Sequence, residues 1–88
     1  MTYKLVFFES AVKDLEAIEK PYDKLIKRKI IQLSEDFESL ENNVKVIKGK
    51  DNYYRLRVCK YRIIFIKDDD KVLIIIVRIG HRKSIYEK

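Results

Sequence analysis

Residues Tyr53 to Phe65 read YYRLRVCKYRIIF, two alternating runs that meet at Cys59-Lys60. Alternation with period two on both sides is the pattern of paired strands with one buried face. A turn at Cys59-Lys60 sets Val58 opposite Tyr61 and Arg57 opposite Arg62. One face of the hairpin then carries Tyr54, Leu56, Val58, Tyr61, Ile63 and Phe65, and the other Tyr53, Arg55, Arg57, Arg62, Ile64 and Ile66. Like charges directly opposed across a ladder destabilise it, by up to about 1 kcal/mol, and small domains have only about 5–15 kcal/mol in total. One or two arginines here read as a solvated face with snorkelling side chains. Three, two of them opposed, point to an anion site. The turn itself lacks the Gly or Asn that tight hairpins favour, and a one-residue shift there would unpair Arg57 and Arg62.

Working outward, the polar DDDK at 68–71 forms a second hairpin loop, followed by a strand over Val72 to Ile79. That strand is apolar on both faces and therefore internal, whereas Tyr53 to Val58 alternates like an edge strand. TYKLVFF at Thr2 to Phe8 is aromatic and β-branched, which predicts a first strand. Ser10 is placed to cap a short helix bearing Ala11, Leu15 and Ile18 on one face, stopping before Pro21. Pro21 suits the first position of a second helix, in which Tyr22, Ile26, Ile30, Leu33, Phe37 and Leu40 form an apolar stripe. VKVIKGKDN at 44–52 reads as a connection turning at Gly49. The expected architecture is α+β, in the order β-α-α-β-β-β. A helical hairpin packs on one face of a four-stranded, mainly antiparallel sheet of strand order 2-3-4-1, as a single domain over residues 1–88.

Composition narrows the function. The formal net charge is +6, so a polyanionic partner is favoured, either nucleic acid or an acidic protein. The chain has one Cys and one His, too few for an internal disulfide or a His/Cys metal cluster, which predicts a reducing, cytoplasmic setting with no metal and no small-molecule cofactor. The runs VLIIIV and RIIFI are far shorter than a membrane span. The segment RIGHRKSIYEK closes the chain with His81, Arg82, Lys83 and Tyr86 within a few residues of Gly80. Each taken singly is unremarkable, and their convergence on one end of the last strand is the signal.

Taken together, YRLRV, YRIIF and VRIGHRKSIY, preceded by VIKG after two helices, resemble the RelE/ParE toxin superfamily, in particular its RelE-like branch. The resemblance runs over nearly the whole chain. It implies the toxin of a type II toxin–antitoxin system, a metal-independent endoribonuclease that cuts mRNA in the ribosomal A site through attack by the 2′-hydroxyl. It further implies a catalytic set of Arg55, Arg57, Arg62, Arg82 and Tyr86, with Lys48, Lys50, His81 and Lys83 as RNA contacts. The implied partners are the ribosome, its mRNA and a cognate acidic, RelB-like antitoxin, for which Lys24, Lys27 and Arg28 and the apolar Ile64 and Ile66 are the candidate docking places. Many RelE-like members carry Lys at the positions of Arg55 and Arg57. ParE-like members of the superfamily instead poison DNA gyrase, and a module kept only for antitoxin binding is the remaining alternative.

The chemistry suits the residues. Guanidinium forks bind phosphate oxygens in pairs and stay charged at any relevant pH, and donors fixed in advance stabilise the charge of a phosphorane. A tyrosine beside cations has its phenolate favoured, and a histidine titrates near neutrality, so either Tyr86 or His81 is a candidate to take the 2′ proton.

Overall fold

The computed structural model describes residues 2–85. Strand β1 (Lys4–Phe7) leads into helix α1 (Glu9–Glu16) and helix α2 (Tyr22–Glu35). A 3-10 segment (Phe37–Asn43) and four further strands follow: β2 (Val44–Val46), β3 (Tyr53–Val58), β4 (Tyr61–Asp68) and β5 (Leu73–His81). A short turn of helix, α3 (Arg82–Ile85), ends the described chain. The strands form one sheet of order β1-β5-β4-β3-β2.

The four expected strands keep their expected order, and a fifth joins them. Val44–Val46, expected as connection, pairs antiparallel with β3 through Val44↔Leu56, Lys45↔Arg55 and Val46↔Tyr54. It is only three residues long, too short to register as a period, yet it takes over the edge that β3 was expected to occupy. Its side chain at Val46 is 66% exposed, as an edge strand permits. β1 lies parallel to β5, Lys4↔Leu73 through Phe7↔Ile76, so the chain crosses over by way of both helices before the sheet closes.

The central hairpin has the register its alternation predicts, with Arg57↔Arg62 and Val58↔Tyr61 flanking a two-residue turn. Cys59 makes that turn by adopting a left-handed backbone, φ 53°, a conformation usually left to Gly or Asn. Leu56, Ile63, Phe65, Ile74 and Ile76 are fully buried beneath Ile26, Ile30 and Leu33 of α2. Each such side chain stabilises by about 1.5–3 kcal/mol.

Two helix boundaries differ from expectation. The stripe on α2 does not run on to Leu40 in one helix: α2 stops at Glu35, and Asp36 leaves helical geometry (φ −147°, ψ 69°) before the 3-10 segment begins. Leu40 is still buried, because a 3-10 turn preserves a spacing of three. Pro21 sits just ahead of α2, after a cis Lys20–Pro21 bond, and not at its first position. Ser10 is inside α1, which starts from Phe8 without a side-chain cap.

The Ser10 hydroxyl is used elsewhere. β1 ends level with Ile76, leaving the rest of β5 without a strand on that side. There Ser10 Oγ donates to the Val77 carbonyl (2.8 Å), and Asp14 Oδ2 accepts from the Ile79 N–H (2.9 Å) and from Arg78 Nε (2.8 Å). Helix α1 thus closes the sheet edge with side chains in place of a strand.

One irregularity sets the far end of β5. Ile64 pairs with Arg78 and Phe65 with Ile76, so Val77 is an extra residue on the β5 side, a bulge. Beyond it the faces of β5 exchange: Ile79 turns to the core opposite Ile63, Gly80 falls opposite Arg62, and His81 opposite Tyr61.

Candidate functional site

The face of the sheet away from the helices carries the cations. Strand pairing sets Lys45 beside Arg55, and Arg57 beside Arg62. A cleft of about 290 Å³ opens over them, lined by Asn42, Asn43, Lys45, Arg55, Arg57 and Arg62. Four of these are cationic and none is acidic, so the cleft favours an anion with several acceptor oxygens.

Its most buried member is Arg62, only 9% exposed. Nη1 of Arg62 donates to the carbonyls of Tyr61 (2.9 Å) and Cys59 (3.2 Å). The turn therefore does two things: it reverses the chain, and its carbonyls anchor the guanidinium that faces Arg57. Arg57 itself is exposed and Arg55 half-buried, which leaves Arg57 hydrated. Hydration on one side and two carbonyl acceptors on the other make the opposed pair tolerable.

The remaining expected residues are placed as follows. Arg82 opens α3 directly after β5, its N–H donating to the Lys60 carbonyl (2.8 Å), so it stands at the hairpin-turn end of the sheet with an exposed side chain. Lys83 is exposed beside it. Lys48 and Lys50 are exposed in the β2–β3 connection around Gly49, whose φ is 85°, and Lys50 Nζ lies 5.0 Å from the centre of the Tyr53 ring. Tyr86 lies outside the described residues.

His81 is not gathered into the cleft. It lies on the helix side of the sheet, edge-on to Tyr61 at 5.9 Å, with Nδ1 accepting from the Lys83 N–H. There it borders a second hollow of about 330 Å³ with Asp14, Ile18, Tyr61 and Arg78. Burial, with smaller contributions from Glu19 and Tyr22, pushes the Tyr61 phenol up, so it stays protonated near neutrality.

Three lining residues were not expected: Asn42, Asn43 and Lys45. The one signal for Lys45 is the V-K-V alternation at 44–46, which puts it on the face of Arg55 once the segment is paired. Asn42 and Asn43 look like helix-breaking punctuation in sequence, and only the pairing of β2 brings them beside the arginines.

Comparison with known proteins settles the kinship. The family model described as the ParE toxin of type II toxin–antitoxin systems matches residues 5–86. The chain belongs to the RelE/ParE toxin superfamily. It is 42% identical over 86 residues to Toxin RelE3 of Methanocaldococcus jannaschii, covering 96% of each chain. In structure it resembles the toxin of the RelB–RelE antitoxin–toxin complex from Methanococcus jannaschii, at TM-score 0.76 and 37% identity over 93% of this chain and 95% of that one. The archaeal RelE–RelB complex from Pyrococcus horikoshii gives TM-score 0.78 at 24% identity over 93% and 97%, a likeness of fold. As a type II toxin of this superfamily, the chain carries its cationic cleft on the sheet face that the two helices leave uncovered.

Proposed function

We propose that this toxin is an endoribonuclease that cuts mRNA in the ribosomal A site by attack of a 2′-hydroxyl on the adjoining phosphate. The observation that carries the reading is the cleft in which Arg55, Arg57 and Arg62 converge with Lys45, one guanidinium already fixed by backbone acceptors. In the proposed mechanism Arg62, with Arg82 from the start of α3, holds the charge that develops on the phosphorane. Such fixed donors act where charge appears without having to reorganise. Arg55 and Arg57 bind the flanking phosphate and stabilise the departing 5′-oxygen as hydrogen-bond donors, since a guanidinium does not readily give up its proton. Tyr86 takes the 2′ proton. What favours it over His81 is that His81 stands behind Tyr61 on the other face of the sheet.

The test is single-turnover cleavage of mRNA on programmed ribosomes by Arg62→Ala, Arg82→Ala and Tyr86→Phe. Losses of about 10²–10³-fold are expected for a lost charge-stabilising arginine and of about 10²–10⁴-fold for the lost proton acceptor, and wild-type rates in all three variants overturn the assignment.

The proposed inhibitor is an acidic antitoxin like the RelB that accompanies RelE in the M. jannaschii complex. It would meet exposed Lys24, Lys27 and Arg28 on α2 and the half-buried Ile64 and Ile66. A second reading, gyrase poisoning, is favoured by the match to the ParE model. A gyrase cleavage assay run beside primer extension on translated mRNA separates the two.

A further inference from the structure

The cleft is chemically divided. Lys45, Arg55, Arg57 and Arg62 offer hydrogen-bond donors only, whereas the Asn42 and Asn43 carboxamides each offer donors and an acceptor. A phosphate takes donors alone, so the two carboxamide oxygens are the side-chain acceptors of the lining that a phosphate does not use. Asn42 and Asn43 end the 3-10 segment directly ahead of β2, whose first residue pairs Val44↔Leu56, next in sequence to the Arg57 that faces Arg62. They line the same cleft as the opposed guanidiniums.

Resting on the RNA-cleavage reading above, we propose that Asn42 and Asn43 form a base-reading subsite of the cleft. They take the edge of the nucleobase adjoining the phosphate held by the arginines. Laid on the Hoogsteen edge, a carboxamide matches the donor beside an acceptor that adenine presents at N6/N7, whereas the O6/N7 edge of guanine carries acceptors alone. Single-stranded RNA, with its bases unstacked, exposes such edges. The subsite sets sequence preference and leaves the charge stabilisation to the arginines.

The experiment compares cleavage by the wild type, Asn42→Ala, Asn43→Ala and the double variant on programmed ribosomes carrying each of the four bases on either side of the cut. The wild type is expected to favour adenine over guanine at one flanking position by roughly tenfold, within the range of one bidentate contact. The double variant should bring the two within about twofold by losing rate on adenine while its rate on guanine holds. Unchanged preference in the double variant overturns the subsite, as does an equal loss on every base, which marks a merely structural or phosphate-binding role. A second arm measures binding of the same proteins to short single-stranded RNAs differing only in that base. If the wild type cuts nothing, the cleavage reading fails, and binding without an asparagine-dependent preference for adenine overturns the subsite by itself.

Discussion

Arg57 and Arg62 face each other directly across the β3–β4 hairpin, and Arg62 is held there by the carbonyls of Tyr61 and Cys59. A pairing that the ladder alone disfavours is thus stabilised from the turn. The arrangement sets two guanidiniums side by side on the cleft floor, at some expense to the ladder itself.

That asymmetry separates the two arginines. Arg57→Ala removes repulsion from an exposed position and is expected to raise stability by about 0.2–1 kcal/mol while slowing cleavage. Arg62→Ala strips two backbone acceptors of a charged donor and should destabilise by about 1.5–3 kcal/mol. Urea unfolding of both variants decides the matter, and a destabilised Arg57→Ala would show that the pair is not strained.

Much of this was legible because the hairpin is strictly periodic. Alternation from Tyr53 to Phe65 assigns both faces and, through Cys59-Lys60, the register. The faces of β5 were not legible. Its residues from Leu73 to Val77 are apolar throughout, so nothing in the pattern marks Val77 as a bulge, and a register step of one residue reverses every side chain beyond it. Without that bulge His81 would share a face with Arg62; with it, Gly80 does. The break at Asp36 was hidden because the step of three from Phe37 to Leu40 fits a 3-10 turn as well as an α-helix. Lys45, Asn42 and Asn43 were hidden because three residues are too few to reveal a strand.

Cys59 is a further point at which local preference is overruled. Its left-handed backbone disfavours a side chain by roughly 1–2 kcal/mol, and its thiol is exposed, so little packing is at stake. Cys59→Gly relieves the strain but frees the unfolded chain by about 0.4–1 kcal/mol, leaving an expected gain of roughly 0–1.6 kcal/mol. A higher urea midpoint with unaltered cleavage is the expected result, and a lower midpoint would mean that the side chain contributes more than the conformation costs.

The closure of β5 by α1 predicts an unequal response at Asp14. Asp14→Ala leaves the buried Ile79 N–H without its acceptor, which costs about 1–3 kcal/mol. Asp14→Asn keeps a carbonyl oxygen there and loses only the ion pair with the half-exposed Arg78, worth about 0–1 kcal/mol. Hydrogen exchange at the Ile79 amide should accelerate markedly in the alanine variant and little in the asparagine one. Equal exchange in both would assign the protection to something other than Asp14.

The far end of the sheet predicts how stability depends on pH. Asp69 Oδ1 accepts from Lys67 Nζ (2.8 Å) and from the Tyr3 hydroxyl (2.7 Å), tying the residue ahead of β1 to the loop that follows β4. The hydrogen bond from Lys67, then that from Tyr3, holds the Asp69 carboxyl below its ordinary value. Its contribution is therefore present above the unfolded value of about 3.9 and is lost as pH falls through the lower folded value. Tyr3 is raised, chiefly by its hydrogen bond to Asp69. For Lys67 burial pulls downward, but the hydrogen bonds to Asp69 and Tyr3 outweigh it and the net shift is up. Both contribute fully below their unfolded values, about 10 and 10.4, and their share disappears as pH rises through the folded ones. Stability should therefore fall off below about pH 4 and above about pH 10 through this cluster. Asp69→Asn should flatten the acid limb of a urea-unfolding profile, while Tyr3→Phe should flatten the alkaline limb and leave most of the acid limb in place, since Lys67 still lowers Asp69. An acid limb as steep in Asp69→Asn as in the wild type would assign the loss to other carboxylates.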